Sequence, residues 1–419
     1  ITVMRTHQRY FPVFNRQKQL LPYFITVSNG TRVEFLENVR VGNERVLRAR
    51  LADARFFYEE DRKKTLDEYA QQLDNIVFLE PLGTMKAKTK RVVNLVEMLA
   101  AELNVAENVR QTALRAATLA KADLLTQMVY EFPELQGIMG MYYARLGGEK
   151  EEVAAAIAEH YAPRFAHDRP PASLAGALVA LADKMDTLAS CFTLGLIPTG
   201  SQDPYALRRN ANGVVSILLA HNMHLSLRRL CELSLAELKE HTTVPLTEIL
   251  SELTNFLLQR VSHSFAEQGI RYDIIAAVLG GTAFDLPGLW QRAQVLQAKL
   301  GTLDLTKVLT PFTRAANLTK EFTELEVDTT LFSTAAEKEL YQAVTAVEKL
   351  VQEAAAQDDF ERVFASLSPL SDPIARFFDE VMVMVEDPAV RRNRLALLTR
   401  VKTLFFTLGD ISQIVQEKN

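Results

Sequence analysis

Residues 174–188 read LAGALVALADKMDTL, an amphipathic run with its apolar residues at helical spacing, and this pattern makes the chain a helical protein. Val92–Leu103, Ala113–Met128 and Ile249–Phe265 repeat it, with short Gly/Pro loops between, so from Pro81 onward helix is predicted almost to the end. Three helix starts share one device: Asp203-Pro204, Asp372-Pro373 and Asp387-Pro388. In each, an acid can cap orphan N–H groups and a proline fits the first turn because it needs no donor there. After Gly301 the helices turn polar and the turns lengthen, which predicts a domain boundary there.

Before Pro81 the period changes. Ile1–Met4, Tyr10–Phe14 and Tyr23–Val27 are rich in β-branched and aromatic residues, with a turn at Ser28-Asn29-Gly30. A charged helix from Glu44 to about Leu73 follows, with Leu47, Leu51, Ala54 and Tyr58 along one stripe. Strands leading into one long helix, in a chain whose first residue is Ile1, predict a truncated α+β domain that begins upstream. The expected architecture is mostly α: a truncated α+β segment over 1–78, a helical domain over 79–300 and a C-terminal helical bundle over 301–419.

Composition bounds the function. Of 419 residues, 48% are hydrophobic and 24% charged, as in an ordinary globular protein of two or three domains. The formal net charge of -5 gives no global attraction to nucleic acid, so an RNA partner, if there is one, must be met by local basic patches. Cys191 and Cys231 form no CxxC, which argues against a disulfide scaffold or a zinc knuckle and fits a reducing cytoplasm. No apolar stretch approaches membrane-spanning length and no signal peptide is expected.

The segment Leu181–Leu188, some sixty residues after Lys121-Ala122-Asp123-Leu124, resembles the core of the HD superfamily, helical proteins whose active members hold metal with a His, a His-Asp pair and a distant Asp. Here Ala122 stands where the histidine is expected, and none occurs between His7 and His160. Asp123 and Asp183 alone are too few ligands, so the expectation is an HD-like helical domain without metal, in which Asp183 and Asp186 cap helices or pair with a nearby Lys or Arg. The alternative, a metal phosphohydrolase, fails on the missing histidines. A second constellation, Pro198-Thr199-Gly200-Ser201-Gln202-Asp203-Pro204-Tyr205-Ala206-Leu207-Arg208-Arg209, runs a Gly-Ser loop into a helix. It could cradle an anion on backbone N–H groups, with Ser201, Arg208 and Arg209 as weak candidates, but it lacks the Lys-Ser/Thr ending of a P-loop.

In this order, the blocks ADKMDTL, PTGS and DPYALRR together resemble the β subunit of the bacterial two-subunit glycyl-tRNA synthetase, in its C-terminal part. Thr6–Pro12, Val41–Leu51, Met128–Gly137, Arg376–Met384 and Arg391–Leu398 extend the resemblance over essentially the whole chain. It implies a glycine–tRNA ligase whose catalytic site lies on a separate α subunit with ATP and Mg, so this chain carries no catalytic residue, cofactor or metal. It further implies an α2β2 assembly, tRNA(Gly) as partner rather than DNA or membrane, a cytoplasmic setting, and a C-terminal anticodon-binding bundle of the arginyl-tRNA synthetase type. The residues agree on one point: no synthetase signature and no nucleotide-binding loop is found. A purely structural scaffold for the α subunit is the other reading.

Two basic patches could meet RNA. Between Pro388 and Lys402 lie Arg391, Arg392, Arg394, Arg400 and Lys402 and no acid. Helical spacing points Arg392 and Arg400 away from the apolar stripe, sets Arg391 and Lys402 on its flank, and places Arg394 within it, predicting a buried pair for Arg394 with an acidic neighbour. The preceding stripe is Ile374, Phe377, Phe378, Val381 and Val385, in which both phenylalanines read as core. The second patch, Lys86, Lys88, Lys90 and Arg91, opens the Val92–Leu103 helix, where cations oppose the macrodipole unless something such as phosphate offsets them. Arg48 and Arg50 form a third, weaker candidate, and His160, His167, His221 and His224 are expected as caps or surface residues.

Overall fold

The computed structural model describes residues 1, 4–5, 8–165, 167–200, 202–281 and 285–415, with the side chain of Asp304 excepted. They cluster into two compact units: Ile1–Leu194 with Ala236–Thr243, and Gly195–Leu235 with Val244–Asn419. This division differs from the three segments expected from composition, because packing, rather than the change in helix polarity near Gly301, groups the helices.

In the first unit, β1 (Phe11–Phe14) and β2 (Leu20–Ile25) form an antiparallel hairpin with Phe11 opposite Ile25. Its turn lies between Asn15 and Gln19, and Ser28-Asn29-Gly30 follows the second strand instead of joining two strands. Of the expected strand Ile1–Met4, Met4 is helical, and residues 2 and 3 lie outside the described set. The long helix α1 spans Leu36–Asp61, eight residues earlier than the charge pattern suggested, and stops well before Leu73. Its end is set by Asp61, whose buried carboxylate accepts from the Gln127 and Met128 N–H groups (2.7 and 3.0 Å) and the Tyr143 hydroxyl (2.8 Å). The chain restarts in α2 (Leu66–Gln71), where Thr65 and Glu68 make a reciprocal capping box.

After a short strand pair, β3 (Val77–Leu79) and β4 (Gly83–Thr84), six helices complete the unit. They are α3 (Met85–Glu102), α4 (Glu107–Leu119), α5 (Gln127–Glu131), α6 (Ile138–Leu146), α7 (Glu151–Glu159) and α8 (Leu174–Thr193). The expected run Ala113–Met128 is broken by a 3-10 turn at Ala122–Leu125. There Asp123 accepts from the Gly137 and Gly140 N–H groups (2.6 and 3.0 Å) and so ties the turn to the start of α6. Helix α8 is the centre: α3, α4 and α7 pack around it, and Leu178, Leu181, Met185 and Leu188 are fully buried. A helix apolar on nearly every side has no face to offer water.

The second unit contains α9 (Leu207–Ala220), α10 (Leu227–Leu235), α11 (Leu246–Glu267), α12 (Tyr272–Leu279) and α13 (Leu286–Lys299). It continues with α14 (Leu303–Leu318), α15 (Ala335–Ala355), α16 (Phe360–Leu367), α17 (Ser371–Glu380) and α18 (Pro388–Phe405). Helix α18 packs on α14 and α15, with Phe312 against Phe405 at 5.1 Å between ring centroids. Gly409, at φ +127°, lies so close to the Ala277 carbonyl that a Cβ there would fall 2.5 Å from its oxygen, and only glycine fits.

The three Asp-Pro pairs have three fates. Asp387 caps α18 as expected, accepting from Ala389 and Val390, with Pro388 as the first helical residue. Asp372 lies inside the first turn of α17, which a 3-10 turn at Ser368–Leu370 already begins. Asp203 stands upstream of α9 and accepts from the Leu207 and Arg208 N–H groups (2.7 and 2.9 Å). Helix α17 ends at Glu380, so Val381 and Val385 fall beyond it, while Ile374, Phe377 and Phe378 are core.

Candidate nucleic-acid interface

The patch at the start of α3 is largely spent inside the first unit. Lys88 is buried: its Nζ lies 3.0 Å from Asp186 Oδ2, 3.1 Å from Asp183 Oδ1 and 2.9 Å from Thr187 Oγ1. Arg91 grips Asp186 with Nε at 2.7 Å and a second nitrogen at 3.2 Å. Lys86 bonds Asp74 at 2.8 Å, and the Thr84 hydroxyl caps the helix. The charges that offset the helix dipole are therefore the protein's own carboxylates. Of the four, Lys90 alone is exposed without a partner among the described residues.

Asp183 and Asp186 thus pair with basic residues, as expected, and Lys121 joins them at 2.9 Å from Asp183 Oδ2. Burial opposes the charge on Asp183, but Lys121 and Lys88 outweigh it and hold this carboxyl well below the usual range. Asp123 goes the other way: burial pushes it up to about 6 against the two backbone bonds it accepts. His160, expected as a cap or surface residue, is fully buried at the end of α7. Its Nδ1 meets the Ile157 carbonyl, its ring lies 3.8 Å from that of Tyr161, and burial together with Lys121 holds it neutral. The donor set around Asp183 is two ammonium groups, a centre that repels a metal cation instead of holding one.

In the second unit the arginines of α18 are also answered by acids. Arg394 forms the buried pair its place in the stripe predicted, 2.7 Å from Glu337, with further bonds to Ser333 Oγ and the Met382 carbonyl, both 2.9 Å. Arg392, expected to be free, is exposed and paired with Glu324. Arg400, likewise expected free, is clamped by Glu348 at 2.9 and 2.6 Å and lies 5.1 Å over the Tyr341 ring. These acids lie 68 and 52 residues away, so the acid-free stretch is acid-free in sequence alone. Arg391 is half-buried with no partner among the described residues. Lys402 gives one N–H to the Thr319 carbonyl at 2.7 Å, which leaves two.

The weak anion loop is filled from within. Asp203 takes the N–H groups at the start of α9, and Arg208 donates to the Gly200 carbonyl at 2.6 Å. Arg209 is exposed, and Ser201 lies outside the described residues. Of the third candidate, Arg50 pairs with Glu131 at 3.2 Å and Arg48 stays exposed.

Sequence reasoning missed a cavity of about 590 Å³ in the second unit. Asp285 and Arg292 of the α13 start, Asp358 and Phe360 of the α15–α16 turn, and Lys402 and Phe406 at the end of α18 line it. At its edge, His224 Nδ1 lies 3.1 Å from Asp285 Oδ2 and 3.7 Å from Asp358 Oδ2. Two of the three, His224 and Asp285, are already engaged in hydrogen bonds within the fold. Asn222 meets His224 Nε2 at 3.0 Å, and Asp285 also caps α13 through the Gly288 N–H.

Comparison with known proteins places this geometry. The family profile described as glycyl-tRNA synthetase beta subunit matches residues 1–280, and that of the DALR anticodon binding domain matches residues 308–411. The chain belongs to the glycyl-tRNA synthetase β-subunit family. It is 47% identical over 423 residues to the glycine–tRNA ligase beta subunit of Moorella thermoacetica, covering 99% of this chain and 60% of that protein. Against the beta subunit of Halalkalibacterium halodurans the figures are 44%, 99% and 60%, and against that of Bacillus subtilis 43%, 99% and 59%. The chain thus spans about 60% of the length of these relatives. Within this β-subunit family chain, the anticodon-binding match runs from within α14 through α18, and it contains Arg391, Arg392, Arg400 and Lys402 and the Asp358 wall of the cavity. No helix of the described residues is long and apolar enough to cross a membrane.

Proposed function

We propose that this chain is the tRNA-holding part of a glycine–tRNA ligase β subunit, whose α14–α18 bundle engages the anticodon arm of tRNA(Gly) in the cytoplasm. The observation that carries this reading is the anticodon-binding match over 308–411, laid on a bundle in which Lys402 keeps two N–H groups and Arg391 has no partner among the described residues. Catalysis, with ATP, Mg and glycine, belongs to a separate α subunit in an α2β2 assembly. This chain contributes by fixing where the tRNA lies, since positioning alone lowers an activation barrier. The ammonium-filled surroundings of Asp183 speak against a metal phosphohydrolase. Binding of the chain to a tRNA(Gly) transcript across a salt series tests the reading. Affinity should fall linearly in log–log form with salt, and a chain that ignores tRNA at low salt overturns it.

A scaffold role has its own observation. On the hairpin and α1, Phe11, Phe14, Tyr23, Ile25, Leu51 and Phe56 are all about half exposed or more, an apolar surface of the kind that docks protein. Loss of α-subunit binding on Phe56→Asp, with tRNA binding unchanged, would assign this arm to subunit contact.

A further inference from the structure

We propose that His224, Asp285 and Asp358 form a binding site for one divalent transition-metal ion, zinc above all, at the edge of the cavity in the second unit. The inference does not depend on the RNA-binding reading above.

Three separate segments supply the ligands. His224 lies in the connection between α9 and α10, Asp285 caps the start of α13, and Asp358 sits in the turn between α15 and α16. One nitrogen and two carboxylate oxygens of these residues all lie within 4.8 Å of one another. Zinc holds nitrogen and oxygen ligands at about 2.0–2.2 Å in a tetrahedral array, which sets them about 3.4 Å apart. His224 Nδ1 is 3.1 Å from Asp285 Oδ2 and 3.7 Å from Asp358 Oδ2, on either side of that spacing. The backbone under Asp358 is anchored, its N–H on the Ala355 carbonyl at 3.1 Å and that of Asp359 on the Ala354 carbonyl at 2.9 Å. Closing the array is therefore a matter of side-chain rotation. Asp285 and Asp358 also line the cavity of about 590 Å³, which gives a water molecule the fourth position.

The charge balance favours a cation. Buried Arg292 is attracted by both carboxylates, one positive charge against two negative. Lys402 lines the same cavity, but its ammonium donates to the Thr319 carbonyl at 2.7 Å and feels Asp410. Asp285 Oδ1 is shut off from water with no hydrogen-bond partner among the described residues, and a cation beside that carboxylate would offset the cost.

The imidazole is already oriented from behind. The Asn222 amide lies 3.0 Å from His224 Nε2, the kind of outer contact that fixes the ring of a metal-bound histidine. With metal on Nδ1, the ring proton that faces Asp285 sits on Nε2 instead, and the amide turns to accept it through Oδ1. No proton is gained or lost. A set of one nitrogen and two oxygens suits zinc, whereas magnesium demands an octahedron of oxygens. An ion held here would staple His224, inside the β-subunit match, to Asp358, inside the anticodon-binding match.

The test is equilibrium dialysis of the full chain, first stripped with a chelator, against zinc chloride in a large excess of magnesium, with thermal melts alongside. One zinc ion per chain should be retained, and the melting midpoint should rise with free zinc. His224→Gln and Asp358→Asn should each abolish uptake at zinc concentrations that fill the unaltered chain. Asparagine tolerates the left-handed turn, and in metal-free buffer both variants should melt as the unaltered chain does. Asn222→Gly removes the outer contact while accepting the backbone at φ +48°. It should weaken zinc binding roughly 10- to 100-fold, which decides the matter if a ligand variant folds poorly. His263→Gln, at the exposed pair with Glu267, should change nothing. Uptake that survives both ligand changes, or falls with His263→Gln instead, is adventitious surface binding and refutes the site. A chain that takes up no zinc, or yields it to magnesium, refutes it equally.

Discussion

Asp183 in the first unit and Asp358 in the second are both carboxylates that the sequence leaves unassigned to any chemistry, yet their surroundings are opposite. Asp183 is sealed between Lys88 and Lys121, with Lys88 and Arg91 also holding Asp186. Asp358 opens on a cavity, with His224 at 3.7 Å and the buried Arg292 near enough to feel its charge. A charge whose partners are all supplied by the fold is part of the architecture. One that folding leaves partly unanswered is available to something else. The same contrast runs along α18, where Arg394 is closed and Lys402 is open.

The largest way to break the comparison is to strip a sealed charge of its partner. Lys88→Ala leaves Asp186 and Asp183 short of a cation in a buried site, and urea unfolding should show a loss of about 3–5 kcal/mol. Arg394→Ala, which orphans the buried Glu337, should cost as much. If either is as mild as a surface change, the closed clusters are not structural.

Acid titration sharpens the contrast within the first unit. Asp183, depressed in the folded state, contributes stability that is present above its unfolded pKa of about 3.9 and lost as pH falls below that. Asp123 has the opposite sign. Raised to about 6, it binds its proton more tightly when folded, so its contribution is full below about 4 and lost as pH rises through about 6. In Asp123→Asn, chemical denaturation across this window should show the downward slope removed, an effect of about 1–3 kcal/mol.

Partly open pairs come next. Arg400→Ala removes a forked bond to Glu348 and a cation–π contact, and should cost about 1–2 kcal/mol. Arg392→Ala at the exposed pair with Glu324 should stay within about 1 kcal/mol. Smallest of all, Asp358→Asn should shift the melting midpoint little, since its carboxylate makes only the long 3.7 Å contact to His224 and a through-space attraction to Arg292 among the described residues. A large stability loss there would move Asp358 to the closed class.

What could be read before folding was local. The helical period, the two strands near Tyr10 and Tyr23 and the Asp387-Pro388 cap rest on residues within a few positions of one another, whereas the turn joining the strands was misplaced. The stripe on α18 was enough to set Arg394 apart from its neighbours, and the paucity of metal ligands near Asp183 was enough to expect ion pairs there. The ordered motif blocks identified the family, because shared ancestry leaves its mark on the chain itself.

Which charges are free was decided only by tertiary structure. Glu324, Glu348 and Asp186 reach Arg392, Arg400 and Arg91 across 68, 52 and 95 residues, and no helical wheel contains them. His160, expected as a cap or a surface residue, is the C-cap of α7, but its burial was not legible because nothing nearby in sequence shows α7 ending against Tyr161 and Lys121. The cavity draws its walls from three segments spread between Asp285 and Thr407, none with a motif of its own. Periodicity is a property of neighbours along the chain, whereas desolvation and Coulomb attraction act over a few ångströms of space. For this protein the sequence by itself determined the elements and the family, and packing alone determined which of its charges are left for a partner.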